Sequence, residues 1–431
     1  MQTLLFETTK PNLSDSNNVL PSDRAFHEWY RFVLSFPPHL VRHYVTEFGL
    51  SADDLLLDPF CGTGTTVVEG KLLGIPSAGI EASPFSHFVS SVKTNWAINS
   101  SELLAEATAI HHRAIDELMP ITDLPDAGNP SAELMSLSPE LQQLMVTNSI
   151  SPLPLHKAII LLNRIDLDAS AHSRDYLRLA LAKTLVKHAS NLRFGPEVGV
   201  GEIKHDAPVM GPWLREVKHM GRDLEQARSD TPVEVLCHDA RNVSQVLKAN
   251  SVSAVITSPP YPNEKDYTRA IRLESVLLGF LTSKKDLRLW KERLLSSNTR
   301  TAYRNNHDHE HVKDFESIHS LSEHIESRRI ELAKTSGFER MYARVTALYF
   351  GGMYRHLADL RQVLRPGAHL AYVVGDQASF FRIMIRTADL LAEIAASLGY
   401  EVVRKDLFRT RFSTATREQL NEEVLILKYH A

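Results

Sequence analysis

The sequence predicts an α/β fold: a mostly parallel, twisted sheet with helices on both faces, enlarged by a helical insertion. Three observations carry this. Short apolar runs alternate with helical periodicity in both halves of the chain, the pattern of a doubly wound sheet. A glycine-rich turn at residues 58–66 joins one apolar run to a helix, and a proline-rich turn at 258–261 ends another. Both turns sit at the carboxyl ends of strands, where open parallel sheets gather their ligands.

Taken in order, residues 1–22 are rich in Asn, Ser, Asp and Pro and read as a loose arm. An aromatic stretch runs from Phe26 to Phe36, and Pro37-Pro38 leads into an amphipathic helix over 40–48. Residues 55–57 form a buried strand, the helix after the glycine turn reaches Leu73, and 77–80 form a second strand ending at Glu81. From 95 to 230 helical periodicity dominates, broken by a Pro-, Ser- and Asp-rich patch at 120–139. Strands return at 233–237 and 254–257, and residues 281–340 are polar and helical. A long helix spans 340–364 and stops at Arg365-Pro366-Gly367, because proline cannot continue it. A strand at 370–374, a helix at 388–398 and strands at 401–403 and 424–427 complete the chain. The organisation is a core in three parts, 1–94, 231–280 and 341–431, interrupted by segments 95–230 and 281–340.

Bulk properties narrow the class without deciding it. The 431 residues exceed what one small core organises, and the apolar fraction of 43% is that of a globular protein. The net charge of −4 neither announces nor excludes nucleic-acid binding, since affinity for phosphates depends on where basic residues cluster. Cys61 and Cys237 are too few for a disulfide framework or a cysteine-rich zinc site, and fit a reducing compartment. No apolar run is long enough to cross a bilayer, and the polar N-terminus lacks the layout of a signal peptide. The expectation is an intracellular protein with no membrane partner and no metal.

The first candidate site is Asp58-Pro59-Phe60-Cys61-Gly62-Thr63-Gly64-Thr65. Glycines let the backbone approach a ligand closely. No Gly-Lys-Ser/Thr follows, so this is not a phosphate loop, and it lacks the three-glycine dinucleotide fingerprint. Its acidic start suits a ligand carrying an ammonium and a sulfonium. Glu81, 17 residues past Gly64, ends the next strand, where an acid accepts hydrogen bonds from both ribose hydroxyls. The plain alternative is a tight turn with no ligand.

The second is Ser258-Pro259-Pro260-Tyr261. Two prolines stiffen the turn and remove two donors, leaving carbonyls that suit an amino group with hydrogens to give. The Ser258 hydroxyl can take one hydrogen and the Pro259 carbonyl the other, while Tyr261 offers a flat face for stacking a base. An exocyclic amine is a poor nucleophile because its lone pair is delocalised into the ring. Holding both hydrogens out of plane frees that pair. The plain alternative is a Pro-Pro turn with a core tyrosine.

Together the two segments resemble the cofactor and catalytic motifs of the amino-methylating DNA methyltransferases. Pro37-Pro38-His39-Leu40 is similar to the family's N-terminal motif, which closes over the methionine part of the cofactor. Glu81 matches its ribose-binding acid, and His238-Asp239-Ala240-Arg241 resembles the segment whose Asp contacts the cofactor's adenine. Residues 367–376 are similar to the strand after the catalytic motif. The resemblance implies a Rossmann-like methyltransferase fold and S-adenosyl-L-methionine as cofactor, held by Pro38, His39, the 58–65 segment, Glu81, Asp239 and Ala240. It implies double-stranded DNA as substrate and a cytoplasmic, prokaryotic setting, with a cognate restriction endonuclease as partner or none. In this family Ser in the catalytic motif marks cytosine N4 as the target, and Asp or Asn marks adenine N6. Adenine N6, an RNA base amine, or a silent DNA-binding relative are the alternatives. No recognition domain fits between Asp239 and Ser258, so 95–230 and 281–340 are the candidate recognition regions.

Within 281–340, Lys284, Lys285, Arg288, Lys291, Arg293, Arg300 and Arg304 interleave with Trp290 and Tyr303, a pattern suited to DNA backbone and unstacked bases. Asp286 and Glu292 among them leave a solvated helix face as the alternative. His307, His309 and His311 read as an exposed polar loop more readily than as a metal site. Residues 190–196 could be an active-site loop or a helix cap, and Asp266 and Tyr267 could line a base pocket or a polar turn. Neither cysteine has the Pro-Cys context that methylation at a ring carbon needs.

Overall fold

A computed structural model describes residues 8–9, 23–32, 35–122, 134–195, 197–227, 229–413 and 417–430. The expected loose arm, apart from Thr8–Thr9 at its start, and the centre of the 120–139 patch lie outside the described residues. The strands are β1 (Thr8–Thr9), β2 (Leu56–Asp58), β3 (Ser77–Ile80), β4 (Leu192–Phe194), β5 (Val198–Val200), β6 (Val233–Leu236), β7 (Val252–Thr257), β8 (Leu364–Gly375), β9 (Tyr400–Ser413) and β10 (Glu418–Tyr429). The helices are α1 (Pro38–Glu47), α2 (Thr65–Leu72), α3 (Pro84–Thr94), α4 (Ser100–Thr122), α5 (Pro139–Gln142), α6 (Pro152–Asp168), α7 (Arg174–Thr184), α8 (Met210–Gln226), α9 (Tyr267–Ala270), α10 (Arg272–Leu277), α11 (Lys284–Arg293), α12 (Glu316–Glu331), α13 (Tyr342–Leu360) and α14 (Thr387–Ser397).

One sheet has the order β1-β9-β10-β8-β7-β2-β3-β6. From β8 through β7, β2 and β3 to β6 every pair is parallel, and β10 lies antiparallel between β8 and β9. The central strands read as continuous apolar runs because both faces are covered. Leu56, Ala254, Ile256, Ala371 and Val373 point to one face, where α1 lays down Leu40, Val41 and Tyr44. Leu57, Val255, Leu370 and Tyr372 point to the other, against α13 and α14. The fold is thus the α/β, mostly parallel, Rossmann-like arrangement expected from the sequence.

The segment 95–230 is mainly helical, and its helices form a second core with α3 and the aromatic segment around Trp29. Asp223 on α8 accepts from the Trp29 indole at 2.8 Å and the Phe26 amide at 3.1 Å, tying the N-terminal segment to the insertion. Two expectations change. The helix ends at Leu360, and Arg365-Pro366-Gly367 lies at the start of β8. There the register on β7 slips from Val252↔Leu364 to Ala254↔His369, so residues 365–368 bulge from the ladder and Pro366 needs no donor. The strands expected at 401–403 and 424–427 are the inner parts of a long antiparallel hairpin, β9–β10.

Candidate active site

The parallel strands end along one edge and bring both motifs to it. β2 ends at Asp58, β3 at Ile80, β6 at Leu236 and β7 at Thr257. Between these ends lies a cavity of about 340 Å³, within the size range of small-molecule sites. Its wall includes Pro59, Phe60, Cys61, Gly62, Thr63 and Thr65, then Glu81, then Asp239 and Ala240. Ser258, Pro259, Pro260 and Tyr261 close the other end.

Gly62 and Gly64, at φ 52° and 88°, occupy the left-handed region that a side chain strains. The turn they permit lets the Gly62 amide donate to Glu81 Oε2 at 2.9 Å, while the Ser83 amide donates to Oε1 at 2.7 Å. Burial pushes the Glu81 carboxyl up to about 7 against the pull of those amides. Asp58 stands behind the wall. Its Oδ1 accepts from the Thr257 hydroxyl at 2.5 Å and the Phe60 amide at 3.1 Å. It therefore locks the end of β2 to the residue before Ser258. Its Oδ2 is buried without a hydrogen-bond partner among the described residues, and burial raises the group to about 6.

Ser258 Oγ donates to the Val373 carbonyl on β8 at 3.0 Å. That contact commits the hydroxyl proton and leaves the oxygen's lone pairs to accept. With the donor-free prolines beside it, this end of the cavity presents acceptors to whatever enters. Asp239 accepts from the Arg241 amide at 2.9 Å, Nε at 3.0 Å and Nη2 at 2.7 Å. Arg241 in turn reaches Asp308 Oδ2 at 2.7 Å, and Asp308 Oδ1 takes Arg355 at 2.6 Å.

A family model described as DNA methylase, of the N6/N4 methyltransferase type, matches residues 6–89. The Type II methyltransferase M.BsoBI of Geobacillus stearothermophilus is 26% identical across 92% of this chain and 82% of its own. The Type II methyltransferase M.AvaI of Nostoc is 22% identical across 87% of this chain and 79% of its own. The Type II methyltransferase M.MjaII of Methanocaldococcus jannaschii is 40% identical over a short stretch, 14% of this chain and 11% of its own. Over most of its length the chain is similar to the amino-methylating DNA methyltransferases. Enzymes of this family take their methyl group from S-adenosylmethionine.

Of the sequence-predicted cofactor and catalytic residues, four lie off the cavity wall. Pro38 and His39 begin α1, and Ser35 and Phe36 just before them line the cavity instead. Asp58 lies behind the wall, and Gly64 caps α2 against Ser90. Asp266 and Tyr267 do line it, Asp266 being paired with Lys291 at 2.7 Å. That pair buries Lys291, which leaves Lys284, Lys285, Arg288 and Arg304 exposed and Arg300 half-buried. Arg288 stacks over Tyr303, and Arg300 over Phe338, each at 5.5 Å. Residues 190–195 are not on the cavity wall: Asn191 anchors the β4–β5 hairpin by donating to Asn148 O at 3.0 Å and Ser151 Oγ at 3.1 Å. Pro196 lies outside the described residues. His307 bonds Glu310 at 3.1 Å and His311 stacks on Tyr354, so the histidines serve separate partners.

Sequence reasoning missed Lys93 and Asp308. The buried Lys93 ammonium donates to the Thr63 carbonyl at 2.7 Å, bracing the glycine turn from behind. Burial, with the Arg31 charge, lowers it to about 7. No local pattern marks either residue, because each acts across the fold.

Proposed function

We propose that this methyltransferase transfers a methyl group from S-adenosyl-L-methionine to the exocyclic N4 amino group of cytosine in double-stranded DNA. The observation that carries this reading is the acceptor set of Ser258, Pro259 and Pro260, facing the same cavity as Glu81 and Asp239. Glu81 and Asp239 would hold the ribose and adenine of the cofactor, and the acidic, glycine-rich wall fits a cationic ligand. When bound, the cofactor supplies an electrophilic methyl on a sulfonium. Ser258 Oγ and the Pro259 carbonyl accept the two amine hydrogens, and Tyr261 stacks on the ring. An amine held this way would take the methyl that the cofactor supplies, and the proton its nitrogen sheds would pass to solvent. Positioning of this kind is worth about 7–11 kcal/mol at best. The base must leave the duplex to reach the cavity, at a cost of a few kcal/mol.

Ser at the first motif position supports cytosine over adenine. The names of the relatives support a prokaryotic, cytoplasmic role in self-marking of DNA, with a cognate restriction endonuclease as partner. Nucleoside mass spectrometry of DNA from expressing cells tests the target. N4-methylcytosine is expected; N6-methyladenine would overturn the base assignment while keeping the chemistry. Methylated RNA with unmodified DNA would overturn the substrate.

Cofactor binding should also move protons. Asp58 and Glu81, raised to about 6 and 7, hold protons in the fold that the unfolded chain has shed. Their contribution to stability is complete below about pH 4 and is lost as pH climbs through 6 and 7. A cationic ligand beside them reverses the shift and expels protons. Near pH 6.5, roughly, calorimetric binding heats should therefore differ between buffers of different ionisation enthalpy. Identical heats would remove Glu81 from the cofactor's surroundings.

A further inference from the structure

We infer that Lys265 and Arg411 form a two-cation seat for a phosphodiester of the nucleotide whose base enters the cavity. The inference rests on the proposed DNA-methylating reading and adds to it the group that holds the extruded strand.

Both residues line the cavity that holds the catalytic tetrapeptide. The other basic groups near this end are already neutralised. Arg409 is bidentate on Glu422 at 2.5 and 2.7 Å, Lys291 sits on Asp266 at 2.7 Å, and Arg241 is held by Asp239 and Asp308 at 2.7 Å each. Among the described residues, no carboxylate lies within ion-pair distance of Lys265 or Arg411. Arg293 also lines the wall with no ion-pair partner among the described residues, but its charge acts on Cys237, just past β6, at the Asp239 end.

The two cations are held on separate supports. Lys265 lies four residues past Tyr261 in a pinned loop. Its amide donates to Asn263 Oδ1 at 2.9 Å, and its carbonyl accepts from Asn298 at 3.1 Å. The backbone is thus fixed, while among the described residues the ammonium has no hydrogen-bond partner. Arg411 stands on the overhang of the β9–β10 hairpin. β10 leaves β8 at the pair Glu422↔Gly375 but continues along β9 to Glu418↔Ser413, so Arg411, opposite Leu420, projects past the sheet edge and is exposed. The charges feel one another: burial, then Arg411, pulls Lys265 below its usual range, against Glu422 and Glu197. Glu422 is occupied by Arg409, and Glu197 on the β4–β5 turn is beyond ion-pair reach. Two cations on one cavity wall, with no carboxylate of the described residues within ion-pair distance of either, beside an acceptor-lined base site, call for an anion that arrives with the base. A backbone phosphate meets that description.

The test uses the full-length enzyme and a duplex carrying the site mapped from modified bases in expressing cells. Lys265→Gln and Arg411→Gln, singly and together, are assayed for DNA affinity across salt concentrations and for cofactor KM. The double variant should lose about one unit of the salt slope. Its affinity should fall about tenfold on the intact duplex and equally when the target base is replaced by an abasic site, because the phosphate remains. Arg411→Lys should retain most of the slope, and cofactor KM should not change. An unchanged slope in an enzyme that still methylates DNA would overturn the seat alone. A loss confined to the intact base would mean base readout, and a raised cofactor KM with normal DNA binding would mean the cofactor's own carboxylate; either overturns it. A wild-type enzyme that neither binds nor methylates DNA would instead overturn the reading beneath it.

Discussion

Ser258→Ala is expected to lower the rate of methyl transfer roughly 10²–10³-fold, the usual effect of deleting one preorganised polar contact in a water-poor site. Cofactor affinity should stay within about twofold, since an interaction made only in the transition state lowers kcat without touching ground-state binding. The geometry supports this split. The Ser258 hydroxyl proton goes to Val373 O, so the oxygen can meet an amine only as an acceptor. Removing it deletes that acceptor and one hydrogen bond worth about 1 kcal/mol, which the fold tolerates. Single-turnover kinetics beside calorimetric cofactor titration measures both halves. Wild-type turnover would remove Ser258 from the chemistry. A loss that falls on cofactor affinity would make it part of the cofactor's wall.

How much of this was legible in the sequence follows from the range over which each feature is encoded. The two motifs were legible because strand, turn and helix are written in adjacent residues, and parallel pairing then brings their ends together. Glu81 and Asp239 reach the same edge, since each lies just past the end of a strand of the same sheet. The facing of Asp58 was not legible. An acid at a strand end reads as a ligand contact, yet Asp58 turns back to hold Thr257. Lys291 reads as one more cation in a basic run, and only the packed helix turns it onto Asp266. The length of β9 was hidden because Arg404, Asp406, Arg409 and Arg411 alternate with too few apolar residues to mark a strand; its ladder with β10 sets its extent. Asp308 could not be foreseen as a partner of Arg241, 67 residues away.

That last contact rests on a glycine, and Gly351→Ala is expected to be the most damaging small substitution in the core. Alanine is ordinarily the better helix former by about 1 kcal/mol, so a helical glycine replaced by alanine should stabilise. At Gly351 the sign reverses. A Cβ there would stand 1.9 Å from the Asp308 carbonyl oxygen and 2.4 Å from its carbon, with the His309 nitrogen at 2.9 Å. These are backbone atoms and cannot step aside as a flexible side chain would. Either α13 or the turn at Asp308–Val312 must move. A loss of about 3 kcal/mol is expected, the upper end for overpacking, read as a lower urea midpoint at unchanged m. Gly211→Ala in α8 is the control, since its Cβ would meet nothing closer than 3.5 Å, and it should be neutral or stabilising. The damage should extend to the cofactor. Asp308 carries both Arg241 and Arg355, and Arg241 orients Asp239 on the cavity wall. Folded Gly351→Ala enzyme should therefore bind cofactor more weakly, whereas Gly211→Ala should not. A midpoint at or above wild type would show that the turn yields freely, and would break the link drawn between the 281–340 segment and the Asp239 end of the cavity.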